Sequence, residues 1–128
     1  DRKAEFVIQP RLVAQGDTHL LEIALINLFN NAIKFTQPRA LAKVEFGQTL
    51  QNGKPAYFIR DNGVGFDMIY AKNLFGAFQR MHKQSEFPGS GIGLATVQRI
   101  IHRHGGRIWA DSKPDEGAVF YSSLDASA

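Results

Sequence analysis

The segment between Asp17 and Pro38 constrains the fold more than any other part of the sequence, because it is long and strongly apolar. Asp17 is a suitable helix N-cap and Pro38 is a helix breaker, so we predict a helix from about Thr18 to Phe35. Polar and charged residues within this segment exclude a membrane span. Its apolar residues outnumber those that an exposed amphipathic helix needs: Leu21, residues 23–26, Leu28, Phe29, Ala32 and Ile33. Such a helix has to pack against a second apolar layer.

That second layer is predicted to be a sheet. Strand-like segments flank tight turns, above all the dipeptide Asn52-Gly53, which is a strong hairpin signal. The expected strands are residues 6–8, 12–14, 42–50, 57–59, 107–110 and 118–121. The expected further helices are a short one near residues 67–74 and a long one over about residues 92–104, ended by Gly105-Gly106. The predicted fold class is α+β: a two-layer α/β sandwich with a mixed sheet and the helices packed on one face.

Composition agrees with one globular domain over residues 1–128. The chain is 44% hydrophobic and 21% charged, which argues against disorder and fibrous repeats. The net charge of +3 suits anionic ligands but is too weak to imply nucleic acid. There is no cysteine, and residues 1–5 lack the apolar core of a signal peptide. We therefore expect a cytoplasmic domain that does not contact a membrane.

A polar line crosses the predicted first helix. Asn27, Asn31 and Lys34 are spaced i, i+4 and i+7, which places them along one side of the helix, whereas Asn30 lies off that line. Asparagine is unfavourable inside a helix because its amide competes for backbone hydrogen bonds. The line is either a ligand-facing stripe or a solvated edge, and these residues alone do not decide between the two.

Six of the 12 glycines lie between Gly63 and Gly93, and five of these six fall in two short segments. The first segment, residues 61–65, places Asp61 at the end of a predicted strand, where its carboxylate can accept a hydrogen bond from an exocyclic amine such as that of adenine. The second segment, residues 89–94, leads into the second helix, and backbone N–H groups there suit phosphates. It matches neither the P-loop nor the dinucleotide fingerprint. Taken alone, the first segment is a weak signal, because any tight turn can have this sequence, and the alternative for the second segment is a flexible turn.

In this order and at this spacing, the segments resemble the ATP-binding catalytic domain of sensor histidine kinases, within the superfamily of gyrase, Hsp90, histidine kinase and MutL ATPases. Residues 27–36 resemble the N box of that family, and residues 61–65 resemble its first glycine box. Residues 74–80 resemble the F box, and residues 89–94 the second glycine box. Residues 97–109 look like those of phytochrome-like two-component kinases. The resemblance covers nearly the whole chain and implies a Bergerat-type fold and protein-histidine kinase activity with ATP and Mg²⁺.

At the base, the resemblance implies that Asp61 binds the adenine amine, that Gly63 and Gly65 let the backbone approach the ring, and that Phe35 lies beside it. Many relatives also place a serine or threonine in the last strand, next to the aspartate. Residues 117–120 contain no hydroxyl side chain, so one hydrogen bond of about 1 kcal/mol is missing from the expected network.

At the phosphates, the resemblance implies three catalytic residues. Asn31 would coordinate Mg²⁺, Asn27 would support phosphate or metal, and Lys34 would contact phosphate. The remaining ATP-binding residues implied by the resemblance, which include the lid over the triphosphate, are Phe78, Arg80, Gly89, Ser90, Gly91, Ile92, Gly93 and Leu94.

The residue type at Asn27 helps to distinguish phosphoryl transfer to another group from ATP hydrolysis. Relatives that hydrolyse ATP efficiently carry a glutamate one turn before the metal asparagine, whereas an amide cannot take a proton near neutral pH. The sequence therefore favours a domain that holds ATP for another nucleophile. The alternative is an ATP-hydrolysing conformational module of the gyrase or Hsp90 type.

The receiving histidine is expected on another domain. None of the four histidines is followed by the acidic residue, arginine and proline of the acceptor motif; they are His19, His82, His102 and His104. We therefore expect a separate dimerisation and histidine-phosphotransfer domain as partner, a response regulator downstream, and a monomer for the isolated domain. We expect Trp109 to lie in the core.

Overall fold

The fold is taken from a computed structural model, which describes residues 3–10, 16–37, 39–65 and 93–124. Its elements in chain order are β1 (Lys3–Ile8), α1 (Thr18–Phe35), β2 (Leu41–Gln51), β3 (Lys54–Asp61), α2 (Gly93–Arg103), β4 (Arg107–Ser112) and β5 (Ala118–Ser123). The described strands form one sheet in the order β1-β2-β3-β5-β4. β1 pairs with β2 in parallel, and the remaining pairs are antiparallel. The predicted α+β class with a mixed sheet is confirmed.

Helix α1 has the predicted limits. The Asp17 side chain accepts a hydrogen bond from the backbone N–H of Leu20 at 2.9 Å, which satisfies one of the free donors at the helix start. The helix is followed by Thr36, whose N–H reaches the carbonyls of Ala32 and Ile33. Its buried face comprises Ala24, Leu28, Ala32 and Phe35. That face sets the rotation of the helix, so Asn27 and Asn31 lie half-buried at its margin.

The core lies between the two helices and one face of the sheet. Along β2, Ala42 and Val44 are buried, whereas Lys43 between them is exposed, as expected for a sheet covered on one side. The Asn52-Gly53 turn that joins β2 to β3 has two positive φ angles, 53° and 79°, as a type I′ hairpin requires. The principal buried cluster is Ala24, Leu28, Ala32, Val44, Ile59, Val97, Ile100, Ile101, Ala118 and Phe120.

His104 connects the two helices. Its Nε2 accepts a hydrogen bond from the Asp17 N–H at 2.9 Å, and its Nδ1 lies 2.8 Å from the Ile100 carbonyl oxygen. Because Nε2 accepts a hydrogen bond and Nδ1 faces a carbonyl oxygen, these contacts assign a neutral His104 ring that carries its proton on Nδ1. The end of α2 is thereby joined to the start of α1, the helix that carries the polar line.

Trp109 corrects one expectation. It is half-buried and stacks on Tyr121, with ring centroids 5.6 Å apart, on the sheet face away from the helices. Strand alternation explains the difference, because its neighbours Ile108 and Ala110 are the β4 residues that pack against the core.

Two predicted segments, the strand at residues 12–14 and the short helix at residues 67–74, lie outside the described residues. In the part of the chain that the structure describes, no helix has the length and apolarity needed to cross a membrane.

Candidate functional site

Asp61 lies at the end of β3 and is 3% exposed. The register places it between Val44 on β2 and Ala118 on β5, two buried apolar residues. A carboxyl group in such surroundings requires hydrogen-bond partners, because burial without them is costly. Asp61 is therefore a buried acidic residue at the end of a central strand of the sheet.

The two carboxyl oxygens of Asp61 differ. Oδ1 accepts a hydrogen bond from the Gly63 N–H at 2.8 Å, whereas Oδ2 is enclosed and has no partner among the described residues. Burial raises the pKa of the Asp61 carboxyl to about 6, and the hydrogen bond from the Gly63 N–H, together with the nearby backbone N–H of Ala118, partly offsets that rise. The group is therefore mostly ionised at pH 7 and carries one unused acceptor.

The glycines after Asp61 allow very close packing. A Cβ on Gly63 would overlap the Phe35 carbonyl, and one on Gly65 would overlap the Lys113 carbonyl. Gly65 also has φ +64°, a conformation that other L residues rarely adopt. The N–H of Val64 donates to the Phe35 carbonyl at 3.0 Å. The loop is thus fixed against the end of α1 at Phe35, and the predicted position of Phe35 beside the base stays a prediction.

The three residues of the polar line on α1 differ in their exposure and in their hydrogen bonds. The Nδ2 of Asn31 is enclosed without a hydrogen-bond partner among the described residues. The Nδ2 of Asn27 donates to the Ile23 carbonyl at 2.9 Å, so this amide is turned onto its own helix. Lys34 is exposed in the last turn. Asn31 lies one turn before Phe35 on the same side of the helix, and Phe35 contacts the Asp61 loop.

The β4–β5 connection forms the opposite side of the loop. Gly117 has φ +83°, and a Cβ there would overlap the Asp61 carbonyl oxygen. Ala118 is the residue paired with Asp61, so a methyl group stands where a hydroxyl was expected from the resemblance. On β4, Ser112 is the residue paired with Ala118, and its hydroxyl donates to the Gly117 carbonyl at 2.7 Å. This hydrogen bond stabilises the turn that connects β4 to β5.

The second glycine segment is described only at its end. Phe78, Arg80, Gly89, Ser90, Gly91 and Ile92 lie outside the described residues. Gly93 is the first residue of α2, and Leu94 is half-buried against the core. The described part of the site therefore comprises α1, the Asp61 loop and the β4–β5 connection.

Sequence reasoning missed two residues at this site. The Asn62 side chain extends the pairing of β3: its Oδ1 accepts from the Lys43 N–H at 2.8 Å, and its Nδ2 donates to the Leu41 carbonyl at 2.9 Å. Arg39, in the connection between α1 and β2, hydrogen-bonds to carbonyls of the Asp61 loop and of the β4–β5 connection. Asn62 lies within the glycine segment at residues 61–65 but was assigned no role, and Arg39 belongs to no local pattern; both act on segments distant in sequence.

Comparison with known proteins agrees with this arrangement. Residues 16–128 match the family described as "Histidine kinase-, DNA gyrase B-, and HSP90-like ATPase". Cyanobacterial phytochrome A of Nostoc sp. is 38% identical over 112 residues, which are 88% of this chain and 14% of that protein. The methanogenesis regulatory histidine kinase FilI of Methanothrix harundinacea is 43% identical over 101 residues, or 79% of this chain and 11% of FilI. A solved structure of the mycobacterial sensor histidine kinase MprB matches with a TM-score of 0.74 at 26% identity, and the match covers 94% of this chain and 80% of the chain in that structure.

The chain therefore belongs to the family of histidine kinase-, DNA gyrase B- and HSP90-like ATPases. Within that family it is an ATP-binding catalytic domain of the sensor histidine kinase type, since relatives and solved structures of that kind match most of its length. The predicted family and fold are confirmed. The chain spans 14% and 11% of the lengths of the two curated relatives described above.

Proposed function

We propose that this chain binds ATP with Mg²⁺ between α1 and the Asp61 loop and presents the γ-phosphate to a histidine on a separate dimerisation domain. One observation carries the proposal. The buried side-chain polar atoms that lack a partner within the described residues are Asp61 Oδ2 and Asn31 Nδ2. Buried polar groups are nearly always hydrogen-bonded, so two such atoms in the two predicted contact residues support a ligand that completes them.

At the base end, Asp61 Oδ2 is the acceptor for the adenine amine. Oδ1 is held by the Gly63 N–H, which fixes the rotation of the carboxylate and leaves Oδ2 as the acceptor for the base. Guanine presents a carbonyl oxygen at the corresponding position, and a carboxylate oxygen repels it. Selection of adenine over guanine follows from this single contact.

At the phosphate end, the residues present fit Mg²⁺. The atom without a partner is the amide nitrogen of Asn31, which cannot bind a cation, but a 180° rotation of the amide would bring its oxygen, a hard ligand, to that position. Mg²⁺ in nucleotide sites takes one or two protein ligands together with phosphate oxygens and water. When bound, the ion would neutralise charge on the phosphate oxygens. Lys34 is exposed at the end of the same helix, where its ammonium group is free to approach a phosphate.

Asn27 supports a kinase over the ATPase alternative. Its amide is hydrogen-bonded to its own helix and has no basic site near neutral pH, so it cannot activate a water molecule. The chain thus binds and orients the nucleotide while the nucleophile comes from elsewhere.

We also propose an oligomeric state, partner domains and a location for this domain. Residues 1–128 act as one domain, monomeric when isolated, that works with a dimerisation domain and, downstream, with a response regulator. ATP is a cytoplasmic metabolite, which supports a cytoplasmic location.

Nucleotide selectivity and turnover test this proposal together. Calorimetric titration in Mg²⁺ should give ATP an affinity at least about tenfold higher than GTP, the value of one discriminating hydrogen bond. Phosphate release from bound ATP should stay at the rate without protein. Equal binding of GTP would contradict the adenine site, and steady hydrolysis that is lost in Asn31→Asp would favour the ATPase alternative.

A further inference from the structure

Arg39 makes an unusual set of contacts for a residue in a short connection. Its Nε donates to the Asn62 carbonyl at 2.7 Å, and its Nη2 donates to the carbonyls of Gly63 at 2.9 Å and Asp115 at 2.8 Å. Its own N–H donates to the Thr36 carbonyl at 2.9 Å, which fixes its backbone to the end of α1. One guanidinium therefore binds three main-chain carbonyls in two separate segments.

Each of these three carbonyls belongs to a peptide unit whose N–H is also bound. The Asn62–Gly63 unit donates its N–H to Asp61 Oδ1 at 2.8 Å. The Gly63–Val64 unit donates its N–H to the Phe35 carbonyl at 3.0 Å. The third unit, which begins with the Asp115 carbonyl, donates the Glu116 N–H to the Lys113 carbonyl at 3.0 Å. Because a peptide unit is planar, binding at both ends fixes its orientation.

The first of these units links Arg39 directly to the candidate adenine acceptor. The charged guanidinium polarises the Asn62 carbonyl, which strengthens the Gly63 N–H as a donor to Asp61. Without this contact the unit could rotate, and the Asp61 carboxylate would lose the bond that fixes its orientation. The Asp115 contact fixes the far side of the loop, where the Asp115 N–H donates to the Val64 carbonyl at 2.6 Å.

We infer that Arg39 is a positioning residue for nucleotide binding, which acts through the Asn62–Gly63 peptide unit to hold the Asp61 carboxylate in the orientation that accepts adenine. This inference rests on the proposed function. It assigns to the α1–β2 connection a role in base recognition that none of the sequence motifs carries.

The test uses Arg39→Met, which keeps the length of the stem, and Arg39→Lys, which keeps the charge but cannot reproduce the planar set of donors. The matched control is Arg60→Met, since Arg60 precedes Asp61 but is exposed and pairs with Glu45 at 2.9 Å. ATP affinity is measured by calorimetry from pH 5 to 8. We expect Arg39→Met to weaken ATP binding about tenfold, Arg39→Lys to fall between it and the wild type, and Arg60→Met to stay within twofold.

The pH profile separates positioning from a general loss of structure. With a weaker Gly63 donor, the midpoint of the pH dependence of ATP affinity should move upward in both Arg39 variants. Unchanged affinity, or weaker affinity with an unmoved midpoint, would overturn the inference. Should Arg39→Met not fold, the midpoint of Arg39→Lys decides in the same way. Failure of the wild type to prefer ATP over GTP would instead count against the proposed function.

Discussion

Replacing Asp61 with asparagine should weaken ATP binding by about 100-fold or more and should remove the preference for ATP over GTP. The Gly63 N–H requires an acceptor, so the amide oxygen of the variant will take the place of Oδ1. The amide NH₂ group then occupies the place of Oδ2, where a donor would face the adenine amine. The loss combines a missing charge-assisted hydrogen bond with a repulsive contact.

The same substitution should make the unliganded domain more stable above pH 7. Burial raises the pKa of Asp61 to about 6, so the folded state holds this proton more tightly than the unfolded chain. The contribution of Asp61 to stability is therefore complete below about pH 4 and decreases as the pH rises to about 6, by about 3 kcal/mol in total. Asparagine does not ionise, and its unpartnered NH₂ cancels part of that gain, which leaves about 1 kcal/mol or more at pH 8.

Denaturant unfolding at pH 4 and pH 8, together with calorimetric titration of ATP and GTP, measures both effects. The matched control is Asp111→Asn, because Asp111 is exposed on β4 and the chemical change is identical. It should alter neither affinity nor stability appreciably. A variant that binds ATP as the wild type does, or that is less stable at pH 8, would contradict the role assigned to Asp61.

Replacing Asn31 with alanine should lower phosphotransfer by about 100-fold, since the amide that we propose as a ligand to Mg²⁺ would be lost. The loss of ATP affinity should appear in Mg²⁺ and largely disappear when the ion is chelated. Stability should be unchanged or slightly higher, because the substitution also removes a buried amide nitrogen without a partner. Initial rates of phosphotransfer and parallel titrations with Mg²⁺ or EDTA measure these effects.

Asn30→Ala is the control for this experiment, because Asn30 is the adjacent asparagine and is exposed off the polar line. It should leave both rate and affinity within twofold. Equal losses of affinity with and without Mg²⁺ in Asn31→Ala would contradict a role in metal binding and would assign Asn31 to phosphate or base contact.

Local patterns were sufficient to predict much of the fold. Asp17 and Pro38 set the limits of α1, and the Asn52-Gly53 turn set the register of the central hairpin, because caps and turns depend on neighbouring residues. The position of Asp61 followed from its place at a strand end. Trp109 was predicted wrongly because a short apolar strand does not reveal which face turns towards the helices.

The contacts that assemble the site depend on tertiary structure. Arg39 contacts Asn62, Gly63 and Asp115, which lie 23, 24 and 76 residues away, and His104 contacts Asp17 at a separation of 87 residues. None of these separations matches the period of a helix or a strand, and an arginine after a proline is not a sequence pattern that predicts such contacts. A single sequence therefore predicts candidate ligand-binding residues through their motifs and leaves undetected the residues that would orient them.

The central claim is that this chain holds ATP for a histidine on another domain. Its most direct test combines the chain, Mg²⁺ and ATP labelled at the γ-phosphate with the cognate dimerisation domain, and with a control domain whose acceptor histidine is replaced by glutamine. We predict acid-labile label on the intact acceptor, none on the control or on this chain, and little release of inorganic phosphate. An unlabelled acceptor together with steady phosphate release, or label on the chain itself, would contradict the claim.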